Sequence, residues 1–398
     1  MPDQLVRPEP FSEAELERSK VLRSKLDQIL PDELKSDFFL CRWLRAYNGN
    51  ESIIEEKLKE LIAHREAFGY TESNIIQFCE DNTIARKTFE RFAISQLKMD
   101  VFSEDVAVFI QKMEHTDLKQ IVKIMPLSNV LHSYFFLQTA FQRAIHEHEQ
   151  KIGRPAAVIV VLDLQGLNLT DFLNPLSAST KLARLVVKIW SDYFSENMIR
   201  LFLIHPPALL SVMWQIAKHI VDAKTQSRIA FLPKLEDIFN HLHKESVPED
   251  WGGSRRDDSG YAPVPSSCVR FPLQVKEEDV FTPENFWKKQ HGFSMIPDTK
   301  TVSLKSKNVH EVLKECTKDQ KLVWQFTVNS DITFEIVWSG TESQPDYQNV
   351  WPKVTLTSLK TPEIGSLICP KTGIYRLRFA NVSSSFFSSK LQYCVQAK

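Results

Sequence analysis

Between Val106 and Leu232, short runs of β-branched and bulky apolar residues alternate with long helical segments, and few folds accept that order. Val106–Ile110, Ala156–Leu162, Met198–Ile204 and Ile229–Leu232 read as strands. Leu127–Ile152, Pro175–Phe194 and Ala208–Val221 read as helices. The strand runs are apolar almost throughout, as in strands buried on both faces. Strands joined through helices pair in parallel and are covered by those helices. The expectation is one α/β domain spanning 81–253.

The helix Ala208–Val221 departs from the ordinary pattern. Ser211, Gln215, Lys218 and His219 form a single polar stripe, and the rest of the surface is apolar, with Leu210, Met213 and Trp214 among it. A helix lying on one side of a sheet needs only about a third to a half of its surface apolar. The excess faces either a second domain or an apolar cavity, over which the helix acts as a lid that can open towards a bilayer.

The flanks differ in kind. Ser12-Glu13-Ala14-Glu15 is a capping box ahead of an apolar-periodic segment closed by Pro31. Asp37–Ala46 reads as a second helix, and a third, capped at Ser52, runs to Gly69, so residues 1–80 form a small helical unit. Residues 254–300 read as a linker, from the Gly, Pro and Ser between Ser254 and Pro272. In 301–398 the period falls to two, in runs such as Leu322–Val328, Ile332–Trp338 and Gly373–Phe379, which predicts an antiparallel β-sandwich.

Charge sets limits on partners. Lys plus Arg number 49 and Asp plus Glu 50, so no global field draws the chain to nucleic acid, and any anionic contact is local. The six cysteines are dispersed without a Cys-x-x-Cys pair, and the amino terminus lacks an apolar signal region, which points to a reducing, cytoplasmic setting. Apolar runs such as Ala156–Leu162 fall far short of the ~20 residues that span a bilayer, so membrane contact is expected to be peripheral and transient.

Catalytic motifs are not found. There is no Gly-x-Ser-x-Gly elbow, P-loop or dinucleotide fingerprint, and glycines number 11. His146-Glu147-His148-Glu149 lacks the i, i+4 histidine pair of a helical metal site and reads as a solvated helix end. The chain is expected to be no enzyme and to hold no metal or cofactor.

Together these stretches form a resemblance. Asp37–Ala46, the strand and turn Val158–Leu167, and the stretch Asp192–Gly253 resemble the CRAL-TRIO lipid-binding family, which includes the yeast secretory phosphatidylinositol-transfer proteins. Trp324-Gln325-Phe326 and Gly373–Asn381 are similar to a GOLD (Golgi dynamics) domain, and the pair in this order resembles animal proteins of the supernatant protein factor and tocopherol-associated type. The resemblance implies an α/β CRAL-TRIO fold with an N-terminal helical unit and a C-terminal GOLD sandwich. It implies one hydrophobic lipid, a phospholipid such as phosphatidylinositol or a tocopherol- or squalene-like isoprenoid, held under a gate helix, here Ala208–Val221, and exchanged at internal membranes. Phe135, Phe136, Ile159, Val161, Phe172, Trp190, Phe202 and Ile204 are expected to line the pocket, with Leu210, Met213 and Trp214 on the gate. Glu196, Thr225 and Arg228 match the family's headgroup positions, either binding a phosphodiester or closing a structural ion pair. A second basic residue of the family falls on Tyr47. The alternative to a carrier is a membrane-traffic adaptor acting through a protein partner of the GOLD domain.

Overall fold

The computed structural model describes residues 5–94, 101–210, 214, 223–256, 271–343, 347–381 and 388–398. Five helices open the chain: α1 (Glu13–Leu26), α2 (Asp37–Ala46), α3 (Glu51–Phe68), α4 (Ile75–Asp81) and α5 (Thr83–Arg91). The Ser12 capping box is formed. The cap of α3 is Asn50, two residues ahead of Ser52, because its side chain accepts from the Ile53 amide. Gly69 ends α3 in the left-handed region at φ 74°, where a glycine carries no Cβ penalty.

The central sheet runs in chain order: β1 (Phe102–Ser103), β2 (Val106–Lys112), β3 (Ala157–Asp163), β4 (Met198–Ile204) and β5 (Ile229–Leu232). β2 to β5 are parallel, and β1 is antiparallel to β2. Between strands lie α6 (Leu118–Ile124), α7 (Leu127–Ile152), α8 (Ala178–Ile189) and α9 (Ala223–Arg228). α7 packs on β2 and β3 through Phe141, whose ring lies 5.0 Å from that of Phe109. The opposite face is closed by 235–251, where Ile238, Leu242, Val247 and Trp251 join Ile159, Val161, Phe202 and Ile204 in one core. A Cβ at Gly253 would lie 1.9 Å from the Val247 carbonyl, so only glycine closes this turn under the sheet.

The C-terminal part is all-β, with two antiparallel four-stranded sheets. One has β10 (Gln348–Leu356), β9 (Ile332–Ser339), β12 (Gly373–Ala380) and β7 (Val309–Cys316) in that order. The other has β11 (Glu363–Ile368), β8 (Lys321–Val328), β13 (Ser389–Ala397) and β6 (Lys300–Leu304). Phe326 and Phe334 meet between the sheets with centroids 4.8 Å apart. β7 and β11 carry no clean alternation in the sequence. β11 contains Gly365, where a Cβ would come within 2.3 Å of the Trp324 ring.

Within the stretch expected as a linker, the described residues 271–300 pack on the rest of the protein. Phe286 and Trp287 are buried, and the Trp287 indole donates to Gln325 at 2.8 Å. Arg91 donates to Asp279 at 2.8 Å and to the Leu273 carbonyl at 2.9 Å, tying this stretch to α5. The β-sheets also pack on the helices. Trp351 of β10 sits 5.0 Å from Phe68 and 5.4 Å from His132, ring to ring. Buried Glu363 accepts from the Leu127 and Ser128 amides at 3.1 and 3.0 Å, filling the open N-terminus of α7.

Candidate functional site

Two features of the central sheet stand apart from ordinary core: a half-open apolar face and an arginine-lined cleft.

The apolar face follows from strand phase. Successive strand residues point to opposite faces, and the parallel register aligns Val160 with Leu201 and Ile229, and Leu162 with Leu203 and Phe231. All six are only half-buried, although they occupy the middle and end of a sheet whose other face is closed. Trp214 stands edge-on to Phe231, centroids 5.5 Å apart, and is itself half-buried. At the carboxyl edge of the strands, His205 takes the left-handed region at φ 47°, and its Nδ1 lies 2.9 Å from the Asp163 carboxylate. This contact joins the ends of β3 and β4 and turns the chain into the helical residues Ala208–Leu210.

The cleft lies at the other, amino edge of the strands and encloses about 370 Å³. Arg42, Arg45, Arg200, Arg228 and Arg7 line it, against the carboxylates Glu9 and Glu196. Each guanidinium is oriented by an acceptor. Arg42 donates to Glu149 and, at 2.8 Å, to the Ala156 carbonyl; Arg45 donates to Glu15 and the Pro10 carbonyl, both at 2.9 Å. Arg200 donates to the Ser227 carbonyl. Arg228 donates to Glu196 at 2.9 Å and to the Ser195 carbonyl. Arg45 holds the Glu15 carboxyl down at about 2. Four of the five arginines are paired with a carboxylate, Arg7 with Glu104, Arg42 with Glu149, Arg45 with Glu15 and Arg228 with Glu196, so the cleft presents oriented guanidinium groups, whose planar fork suits a phosphate.

The residues expected from the sequence fall into several places. Glu196 and Arg228 meet in the cleft. Thr225 belongs to α9, but its side chain lies outside the described residues, as does Met213. Ile159, Val161, Phe202 and Ile204 are at most 1% exposed in the closed core, on the face away from Val160 and Leu203. Phe135 stacks on His64 at 4.0 Å, and Phe136 packs on Tyr70 and Phe78 in the core cluster of α7, against which Val160 also packs. Trp190 is buried in the core shared with the β-sheets; Phe172 and Leu210 are half-buried near the carboxyl edge. Tyr47 donates to the Asp192 carbonyl at 2.5 Å and does not line the cleft; burial pushes its phenol up.

Arg42, Arg45 and Arg200 were not singled out by the sequence. Arg42 and Arg45 stand three apart in Asp37–Ala46, and one shared helix face was the only available signal. The His-Glu-His-Glu run is no solvated end: His146 pairs with Glu72, His148 with Asp105, and Glu149 is buried beneath Arg42. Among the described residues no cluster of ligands fits a metal, and no helix is long and apolar enough to cross a membrane.

A parallel sheet with a half-open apolar face and an arginine-lined cleft suits an amphiphilic or apolar ligand. Among known proteins, residues 103–253 match the model of the CRAL/TRIO domain. It is 27% identical to the CRAL-TRIO domain-containing protein C34C12.6 of Caenorhabditis elegans, over 97% of both chains. It is 24% identical to the CRAL-TRIO domain-containing protein YKL091C of Saccharomyces cerevisiae, over 56% of this chain and 72% of that one. The phosphatidylinositol/phosphatidylcholine transfer protein SFH12 of Arabidopsis thaliana is 22% identical over 58% of this chain and 41% of its own. The crystal structure of Sfh5 aligns with 59% of this chain and 86% of its own at 13% identity, with a TM-score of 0.41.

Proposed function

We propose that the protein is a non-enzymatic lipid carrier, holding one lipid against the half-open face of the sheet and exchanging it at membranes. The observation that carries this reading is the row Val160, Leu162, Leu201, Leu203 and Phe231, which stays half-buried in a sheet whose other face is packed shut. Leaving such a face unfilled forfeits roughly 25 cal/mol per Å² of apolar surface, which a bound acyl or isoprenoid chain recovers. The lining therefore takes the phase of Val160 and Leu203, with Trp214 beside it, and 208–221 serves as the gate. A phosphate-bearing headgroup fits the cleft at Arg228 and Glu196, with Arg42, Arg45 and Arg200 around it. The C-terminal sheets act as a GOLD domain and recruit a protein or membrane.

Native mass spectrometry of the full chain after incubation with mixed-lipid vesicles tests the reading. A stoichiometric lipid adduct is expected, and its extraction identifies the cargo class. No adduct from any lipid mixture would overturn the carrier and leave the adaptor.

A further inference from the structure

A cationic groove lies at the seam between the α/β part and the β-sheets, away from the arginine-lined cleft. α6, the first turn of α8 and the connection from β10 to β11 enclose a groove of about 590 Å³. Lys119 and Lys123 enter it from α6, Lys181 from α8 and Lys360 from the β10–β11 connection. Of the described residues, no carboxylate lines it. In a chain with a formal net charge of −1, four cations in one groove are a strong local departure.

Apolar side chains stand beside the lysines. Leu176, which lines the groove, is 76% exposed, and Leu173 in the same turn is 55% exposed. Single exposed leucines are ordinary on a protein surface. Two within one turn beside four lysines form an amphipathic patch: cations to meet anionic groups and aliphatic groups to enter the layer beneath them.

The position of the patch is set by topology. α6 follows β2 and the 170–176 turn follows β3, so both lie at the carboxyl edge of the parallel strands, where Ala208–Leu210 follows β4. Open α/β sheets receive ligands at that edge. We propose that this seam groove docks the protein on an anionic bilayer, with Lys119, Lys123, Lys181 and Lys360 against lipid headgroups and Leu173 and Leu176 inserted at the acyl boundary. Docking here turns the carboxyl edge of the sheet towards the membrane and spans both halves of the protein through Lys360. The inference rests on the carrier reading for its purpose, though not for its geometry. Nucleic acid would meet the lysines but has no use for the leucines.

The test is co-sedimentation of the full chain with phosphatidylcholine vesicles, with and without phosphatidylserine. Binding is expected only with phosphatidylserine and is expected to weaken as salt rises. Each lysine near an anionic surface is worth roughly fivefold in affinity, so Lys123→Glu with Lys360→Glu should lose about 25-fold or more. Lys360→Glu alone should lose at least about fivefold, keeping the test valid if the pair disturbs folding. Leu176→Asp should lose about tenfold. Binding that ignores phosphatidylserine, or survives the double charge reversal, overturns the proposal. Loss with the lysine variants but none with Leu176→Asp also overturns it, since the groove would then take a soluble acidic partner. Bound lipid is read on the same samples: variants that lose vesicles but keep a stoichiometric lipid adduct support docking as a separate step. Wild-type protein that docks but never retains lipid overturns the carrier reading and leaves the docking face standing.

Discussion

Arg228 and Glu196, 32 residues apart in the chain, meet at 2.9 Å in the wall of the arginine-lined cleft, each side chain about nine-tenths buried. The pair fastens the entry of β4 to the entry of β5 and presents a guanidinium whose remaining donors suit a phosphate. The ion pair has a structural role, and substitution separates it from the proposed binding role.

Arg228→Ala removes a partner of a mostly buried carboxylate and the donor to the Ser195 carbonyl, so stability should fall by about 1–3 kcal/mol. Phosphoinositide transfer between vesicles should be lost, while neutral-lipid transfer persists. Equal loss of both cargoes would leave the pair with a structural role alone.

The phase of the strands makes a sharper contrast. Leu203→Trp adds bulk to the half-open face and should depress lipid uptake with little change in melting temperature. Phe202→Ala, one residue away in the closed core, should destabilise by about 3–5 kcal/mol. Lipid occupancy and chemical denaturation of both variants check this, and the reverse pattern would invert the assignment of the faces.

Among the described residues, Trp214 against Phe231 joins the proposed gate to the sheet. Trp214→Glu should abolish vesicle-to-vesicle transfer with a folded circular dichroism spectrum retained, because a half-buried residue tolerates a charge at modest cost. Undiminished transfer would remove Trp214 from the exchange step.

Glu363 links the two halves of the protein with a pH-dependent contact. Complete burial raises its carboxyl from 4.5 to about 7, against the opposing effect of the Ser128 and Leu127 amides. A raised carboxyl means that the folded state binds the proton more tightly than the unfolded chain. The stability it adds is full below pH 4.5 and is lost as pH rises towards 7, by about 3 kcal/mol at most. Glu363→Gln should flatten that part of the stability profile in denaturation at pH 5 and pH 8, and parallel profiles would show that Glu363 does not titrate in this range.

Much of the fold was legible because it is local. α2, α7, β4 and β5 occupy the ranges that the apolar periodicity predicts, since caps, β-branched runs and helical stripes act over a few residues. β7 was not legible: its outward phase mixes Val309 and Leu313 with Glu311 and Glu315, its inward phase includes His310 and Lys314, and it is held by pairing with β12.

What the sequence by itself determined is the order of elements, the α/β character of the middle and the β character of the end. The tertiary structure decided the rest. A strand apolar at every position has no alternation to mark which face stays open, so Val160 and Ile159 are equivalent until α7 and 235–251 choose their sides. The arginine cleft draws on α2, the amino-terminal segment, β4 and α9, and the lysine groove on α6, α8 and a connection between distant strands. No periodicity encodes such meetings, because each arises from packing between segments far apart in the chain.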